Sequence, residues 1–125
     1  MVLGLGTDLI EIERVQASID RFGERFLSRV FTAGEIAYCL RKKASAESFA
    51  ARFAAKEASA KALGTGISRG VSWKEFEVTR EIGQRPMLRL SGRAAELAAI
   101  MGVQRLHLSL THSRGLSMAF VVAED

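Results

Sequence analysis

FAARFAAKEASAKALGTGI, Phe49 to Ile67, is the stretch on which the fold turns. From Ser45 to Leu63 the chain holds no proline, glycine or β-branched residue, and alanine dominates, so local propensity and pattern both predict a helix. The spacing predicts a start after Ser45 or Ser48 and a run to Leu63, with Gly64 able to take the left-handed position that closes a helix. Steps of four residues put Phe53, Glu57 and Lys61 on one face, and Gly64 continues that face three residues later.

Working back from this helix, Thr32 followed three residues later by Glu35 has the form of a capping box. It predicts a short helix through Ile36, Cys39 and Leu40, closed by Arg41, Lys42 and Lys43, whose charges suit a helix C-terminus. Between Glu11 and Phe22, the residues Ile12, Val15, Ile19 and Phe22 recur at helical spacing and are expected to face the core. Arg14, Ser18, Arg21 and Arg25 form another stripe. If the helix runs through or resumes after Gly23, Arg29 extends this stripe into a basic ridge; the plainer reading is a solvated face interleaved with Glu13, Asp20 and Glu24. Met1 to Ile10 alternates as a strand does, with Leu3, Leu5 and Leu9 on one face and Gly4, Gly6 and Asp8 on the other. Bare backbone beside a carboxylate can admit a ligand, and equally marks a bulge or a close packing contact.

Working forward, Val71 to Arg80 reads as a strand, with Phe76 and Val78 on a common face and Trp73 set off by a bulge. Gly83 to Pro86 turns the chain into Met87 to Leu90. Ser91 is placed to cap a helix carrying Leu97, Ile100 and Met101, which Gly102 stops. From Arg105 to Thr111, Leu106, Leu108 and Leu110 point one way and His107, Ser109 and Thr111 the other. The turn Ser113, Arg114, Gly115 then leads to a closing strand through Met118, Phe120 and Val122. No internal repeat, low-complexity tract or linker interrupts the chain.

The chain has 125 residues, 48% hydrophobic and 26% charged, which predicts one soluble globular domain spanning 1–125. Cys39 stands alone and cannot form an internal disulfide, and the N-terminus lacks the order of a signal peptide, so the expected location is cytoplasmic. No apolar run approaches the ~20 residues of a membrane helix. A formal charge of +4 and a pI near 9.7 favour an acidic partner: nucleic acid, a phosphorylated small molecule or an acidic protein.

Several familiar sites do not fit. A phosphate-binding glycine loop precedes its helix so that amides and the positive dipole end meet the anion, whereas Gly64, Thr65 and Gly66 follow theirs. No cysteine cluster or HExxH pattern suggests zinc. Neither Ser109 nor Ser113, near His107 and His112, sits in a nucleophile elbow. There remain Asp8 on the glycine-bordered strand and Glu57 with Lys61 on one helical face. Magnesium takes one or two protein carboxylates, several waters and substrate phosphate oxygens, which suits two acids and a lysine. A surface ion pair between Glu57 and Lys61 accounts for the same spacing.

GLGTDLIEIERV at Gly4 to Val15, RFAAKEASAKALGTGI at Arg52 to Ile67 and LHLSLTHS at Leu106 to Ser113 closely resemble the holo-acyl-carrier-protein synthase family, the small bacterial 4'-phosphopantetheinyl transferases. The match runs in order over nearly the full length, and the patterns GxDxxxxxR and FxxKExxxK are specific in combination. The resemblance implies an α+β fold, mainly antiparallel sheet packed around a long central helix. It implies transfer of the 4'-phosphopantetheine arm of coenzyme A to a serine hydroxyl of an apo acyl carrier protein, in the service of fatty acid biosynthesis and lipid metabolism, with release of adenosine 3',5'-bisphosphate. Asp8 and Glu57 match the family's magnesium ligands. Lys61 matches the lysine that contacts the phosphates and can stabilise or protonate the leaving group, and Glu57 is a candidate acceptor of the serine proton. Arg52, Lys61, Gly64, Thr65, Gly66 and His107 lie at positions that resemble the coenzyme A cleft, which Ser109 and Thr111 extend. Arg14 matches a carrier-binding arginine, and Arg21, Arg25, Phe26 and Arg29 complete a basic, partly apolar surface for an acidic helix. The family's homotrimers, with the cleft between subunits, imply the same assembly here, with neither nucleic acid nor membrane as partner.

Two departures stand out. Larger two-domain relatives carry a second acid two residues after the metal aspartate, where Ile10 stands here, and the family's Gly-Lys-Pro turn reads Gln84, Arg85, Pro86. The competing reading is a non-enzymatic nucleic-acid-binding module resting on the basic charge. Against it, aromatic residues make up only 7% of the chain, and no strand shows a paired aromatic platform.

Overall fold

The computed structural model describes residues 1–125. Strand β1 (Val2–Glu11) leads into helices α1 (Ile12–Phe22), α2 (Glu24–Val30) and α3 (Ala33–Leu40), then the long α4 (Ser45–Ala62). A short 3₁₀ helix, Trp73–Glu75, precedes β2 (Phe76–Thr79) and β3 (Met87–Leu90), and α5 (Gly92–Met101) precedes β4 (Arg105–Ser113) and β5 (Leu116–Glu124). The strands form two antiparallel sheets, one ordered β1-β5-β4 and one pairing β2 with β3. The fold is α+β, with α4 as its axis. No helix is long and apolar enough to cross a membrane.

Alanine explains the axis. Ala54, Ala55, Ala58 and Ala62 of α4 meet Ala119, Val121 and Ala123 of β5 and Val78 of β2 in one buried cluster, with Leu106, Leu108 and Leu110 of β4 packed around it. Small side chains on both surfaces let backbones approach closely. At Gly4 and Gly6 the approach is so close that an added Cβ would lie 2.0 Å from the Ala62 carbonyl oxygen and 1.8 Å from that of Ala58. The bare face of β1 is therefore a packing contact. Two residues further along the same face, it delivers Asp8 to the level of Glu57. The chain ahead of α4 closes a second cluster around Val15, Val30, Phe31, Cys39 and Phe49, and Phe76, Val71, Leu63, Ala94 and Ala98 form a third.

The capping box at Thr32 forms as expected: Glu35 N donates to Thr32 Oγ1 at 3.2 Å and Thr32 N to Glu35 Oε1 at 2.9 Å. Helix α4 begins at Ser45 itself, with no serine side chain capping it, and Gly64 closes it at φ 81°. The conditional reading at Gly23 resolves as a break at φ 54° followed by a resumed helix.

Other expectations fail for identifiable reasons. Phe22 is not a core residue: it is 41% exposed, because α1 ends there and the chain turns away at Gly23. Ile100 is exposed as well, since α5 buries Ala94 and Ala98 instead. Ser91 makes no side-chain cap; the Glu75 carboxylate takes over, accepting from Arg93 N and Ser72 N, each at 3.0 Å. That same carboxylate closes the 3₁₀ turn that holds Trp73, where the pattern suggested a bulge. The alternation expected along β1 does hold, and the leucine face is the outer one, with Leu5 and Leu9 exposed beside Met118 and Phe120.

Candidate active site between the first strand and the central helix

The period of a strand and the turn of a helix bring Asp8, Glu57 and Lys61 together from positions distant in sequence. Lys61 Nζ lies 3.2 Å from Asp8 Oδ1 and donates to the Thr7 carbonyl at 3.0 Å. Lys61 thus pairs across to the strand and leaves Glu57, one turn back, without it, so the simple surface pair along the helix is not what forms. Burial, and after it the neighbouring Asp8 charge, push the Glu57 carboxyl above the usual glutamate range, while Lys61 pulls it back.

Asp8 and Glu57 open onto a cleft of about 550 Å³ that Phe53, Arg14, Ser18 and Phe26 also line. A second groove, about 410 Å³, continues from it through Ser18 and Phe26 to Phe22, Arg25 and Arg29. Arg21 and Arg25 place their guanidinium groups 5.1 and 5.8 Å from the centre of the exposed Phe22 ring. The basic ridge is therefore physically continuous with the carboxylate pair. Phe26 is held from behind by Phe31, edge-on at 6.0 Å, and by Phe53, stacked at 6.5 Å.

The remaining candidates stand elsewhere. Arg52 is buried with its guanidinium 4.1 Å from the centre of the Tyr38 ring; it donates to the Ser48 carbonyl at 3.4 Å, and its Nε has no partner. Gly64, Thr65 and Gly66 form the turn beyond Lys61, where the amides of Thr65 and Gly66 both donate to the Ala60 carbonyl. His107, Ser109 and Thr111 lie on the outer face of β4, with the sheet between them and Glu57. His107 Nε2 sits 2.9 Å from Glu124 Oε1, and hydrogen bonds from His107 and Arg105 pull that carboxyl down to about 2. One chain does not assemble these residues with Asp8 and Glu57. Lys56, the first lysine of the FxxKExxxK pattern, is given no role of its own by the sequence, and the structure buries it beside Glu57.

The carboxylates suit a magnesium ion. Two carboxylates face one open cleft, and no cluster of three or more His, Cys, Asp or Glu groups builds a closed cage. Few hard oxygen ligands with room for water and phosphate is the donor set magnesium prefers.

Comparison with known proteins gives the class, a transferase: residues 4–121 match the 4'-phosphopantetheinyl transferase superfamily, to which the chain belongs. The holo-[acyl-carrier-protein] synthase of Koribacter versatilis (strain Ellin345) is 50% identical over 125 residues, covering 100% of both chains. That of Methylobacterium sp. (strain 4-46) is 53% identical over 128 residues, covering 99% of this chain and 95% of the relative. Among solved structures, the synthase from Neisseria meningitidis superposes with a TM-score of 0.90 at 33% identity, over 100% of each chain. The Helicobacter pylori synthase, solved in complex with coenzyme A, gives 0.84 at 32% identity, over 96% of this chain and 99% of that one. Within the superfamily, the chain falls in the holo-acyl-carrier-protein synthase branch.

Proposed function

We propose that this protein transfers the 4'-phosphopantetheine group of coenzyme A to a serine hydroxyl of an apo acyl carrier protein, releasing adenosine 3',5'-bisphosphate, in a magnesium-dependent reaction that serves fatty acid biosynthesis in the cytoplasm. The observation that carries this reading is the single cleft in which the Asp8 and Glu57 carboxylates share walls with Arg14 and Phe26. A phosphate site and a docking ridge for an acidic protein meet there.

The serine oxygen attacks the phosphorus attached to the pantetheine arm, and the bond from that phosphorus to the bridging oxygen breaks. Adenosine 3',5'-bisphosphate leaves with the electron pair. Magnesium, held by Asp8 and Glu57, would neutralise charge on the pyrophosphate. Lys61 presents its ammonium beside Asp8, where it can stabilise or protonate the leaving oxygen. Glu57, at the cleft wall beside Asp8, is the candidate acceptor of the serine proton.

Mixing the protein with apo carrier protein, coenzyme A and magnesium should add one phosphopantetheine to the carrier by mass spectrometry. No gain at any magnesium concentration would overturn the reading. Arg14→Ala should raise KM for the carrier about tenfold and weaken the salt dependence of association, with kcat little changed. An unchanged KM removes the ridge from the proposal.

Homotrimerisation, with the cleft completed between subunits, is supported by the outer face of the β1-β5-β4 sheet. Leu5, Leu9, Met118 and Phe120 are exposed there as one apolar band. The coenzyme A candidates His107, Ser109 and Thr111 lie on that same face. Sedimentation equilibrium should return about three times the 13.6 kDa chain mass; a monomeric mass would refute the assembly.

A further inference from the structure

Lys56 and Glu35 are both 0% exposed, and Lys56 Nζ lies 2.6 Å from Glu35 Oε1. The same ammonium donates to the Phe76 carbonyl at 2.6 Å and the Trp73 carbonyl at 3.2 Å, so its three protons meet three acceptors. Glu35 is equally occupied: Oε1 also accepts from Thr32 N and Oε2 from Val78 N, both at 2.9 Å. One ion pair therefore joins α4 to the start of α3, the 3₁₀ turn and β2.

Around Lys56 the packing of α4 offers little directional constraint, the large side chains Phe49 and Phe53 docking against Phe31, Phe26 and Trp73 nearer the N-terminal end of the helix. Its buried side chains around Lys56 are Ala54, Ala55, Ala58, Ser59 and Ala60, and methyl groups present no distinct knobs. Rotating such a helix slightly about its axis exchanges one methyl contact for another, and apolar filling of the right volume does not by itself select one arrangement. Gly4 and Gly6 set how closely α4 approaches β1, but bare backbone does not grip the helix against rotation. Buried ion pairs add little net stability, whereas their directional bonds can specify one arrangement. Glu57 is the next residue, and an error of about 1 Å in its carboxylate is enough to damage catalysis.

We propose that the Lys56–Glu35 pair is the pin that sets the rotation of α4 and so holds Glu57 opposite Asp8, which makes Lys56 a positioning residue for the carboxylate pair. The inference rests on the proposed function only for what the pair of carboxylates is used for.

Removing one partner strands a buried charge, so the test variant is Lys56→Met with Glu35→Gln, compared with Val71→Ala, a core truncation in the cluster away from the cleft. Crystal structures and Mn2+ binding followed by electron paramagnetic resonance are read alongside turnover. The double variant should remain folded, show α4 rotated relative to β1, and bind Mn2+ about tenfold more weakly, with kcat reduced and the carrier KM within about twofold of wild type. Val71→Ala should lose thermal stability and keep wild-type Mn2+ affinity. An unrotated α4 with unchanged Mn2+ affinity in the double variant overturns the pin, as does an equal loss of affinity in Val71→Ala. Failure of the wild type to bind Mn2+ or turn over coenzyme A would count against the proposed function, and the orientation of α4 in the double variant would still decide the pin.

Discussion

Asp8→Ala should lower the transfer rate on the order of 10³-fold, about 4 kcal/mol of lost transition-state stabilisation, while the protein stays folded. Glu57→Gln should do the same. Stability is spared because the ion pair Asp8 makes is with Lys61, whose side chain is 50% exposed, and pairs of that kind contribute about 0–1 kcal/mol. For Glu57 the neutral amide removes the cost of burying a charge and, after it, the repulsion with Asp8, the two causes that raise its carboxyl. Both variants should also lose their response to added magnesium. Circular dichroism melts and steady-state transfer rates check the two halves of the prediction. Near-normal turnover in both variants would show that the carboxylate pair is not the metal site.

Gly6→Ala is expected to be the most damaging small substitution for stability. The added methyl would sit 1.8 Å from the Ala58 carbonyl oxygen and 2.8 Å from the Ala62 amide nitrogen. Both are backbone atoms of a helix, so no rotamer change relieves the overlap, and either β1 or α4 must move. The expected cost is about 3 kcal/mol or more, read as a fall in the urea midpoint with the m-value unchanged. Displacing α4 from β1 also separates Glu57 from Asp8, so residual folded protein should be slow. Gly34→Ala serves as the comparison. Its Cβ would meet Glu77 Oε2 at 3.4 Å, an ordinary contact in a helix, and the change should be neutral or slightly stabilising. Equal losses in both variants would mean that the strand–helix contact is looser than its geometry indicates.

Much of this architecture can be read locally. Alanine content marks α4, Thr32 and Glu35 mark the start of α3, and alternation marks β4 with its leucines inward. Each depends on atoms a few residues apart, whose preferences survive in any surroundings. The patterns GxDxxxxxR and FxxKExxxK single out Asp8, Glu57 and Lys61 through the family resemblance, since residue type and spacing by themselves fit a surface ion pair as well.

Burial is different, since it depends on what lies across from a side chain. Phe22 has the spacing of a core residue, yet the break at Gly23 leaves it between two guanidinium groups on the surface. Lys56 and Lys61 are chemically identical and five residues apart, but one faces two carbonyls and a carboxylate in the interior while the other is half-exposed and pairs with Asp8 on β1. The sequence of α4 shows a glutamate and a lysine one turn apart and leaves their pairing open. Asp8 settles it, because a glycine face without side chains lets β1 lie against α4, and that approach turns a helical charge pattern into a two-carboxylate site.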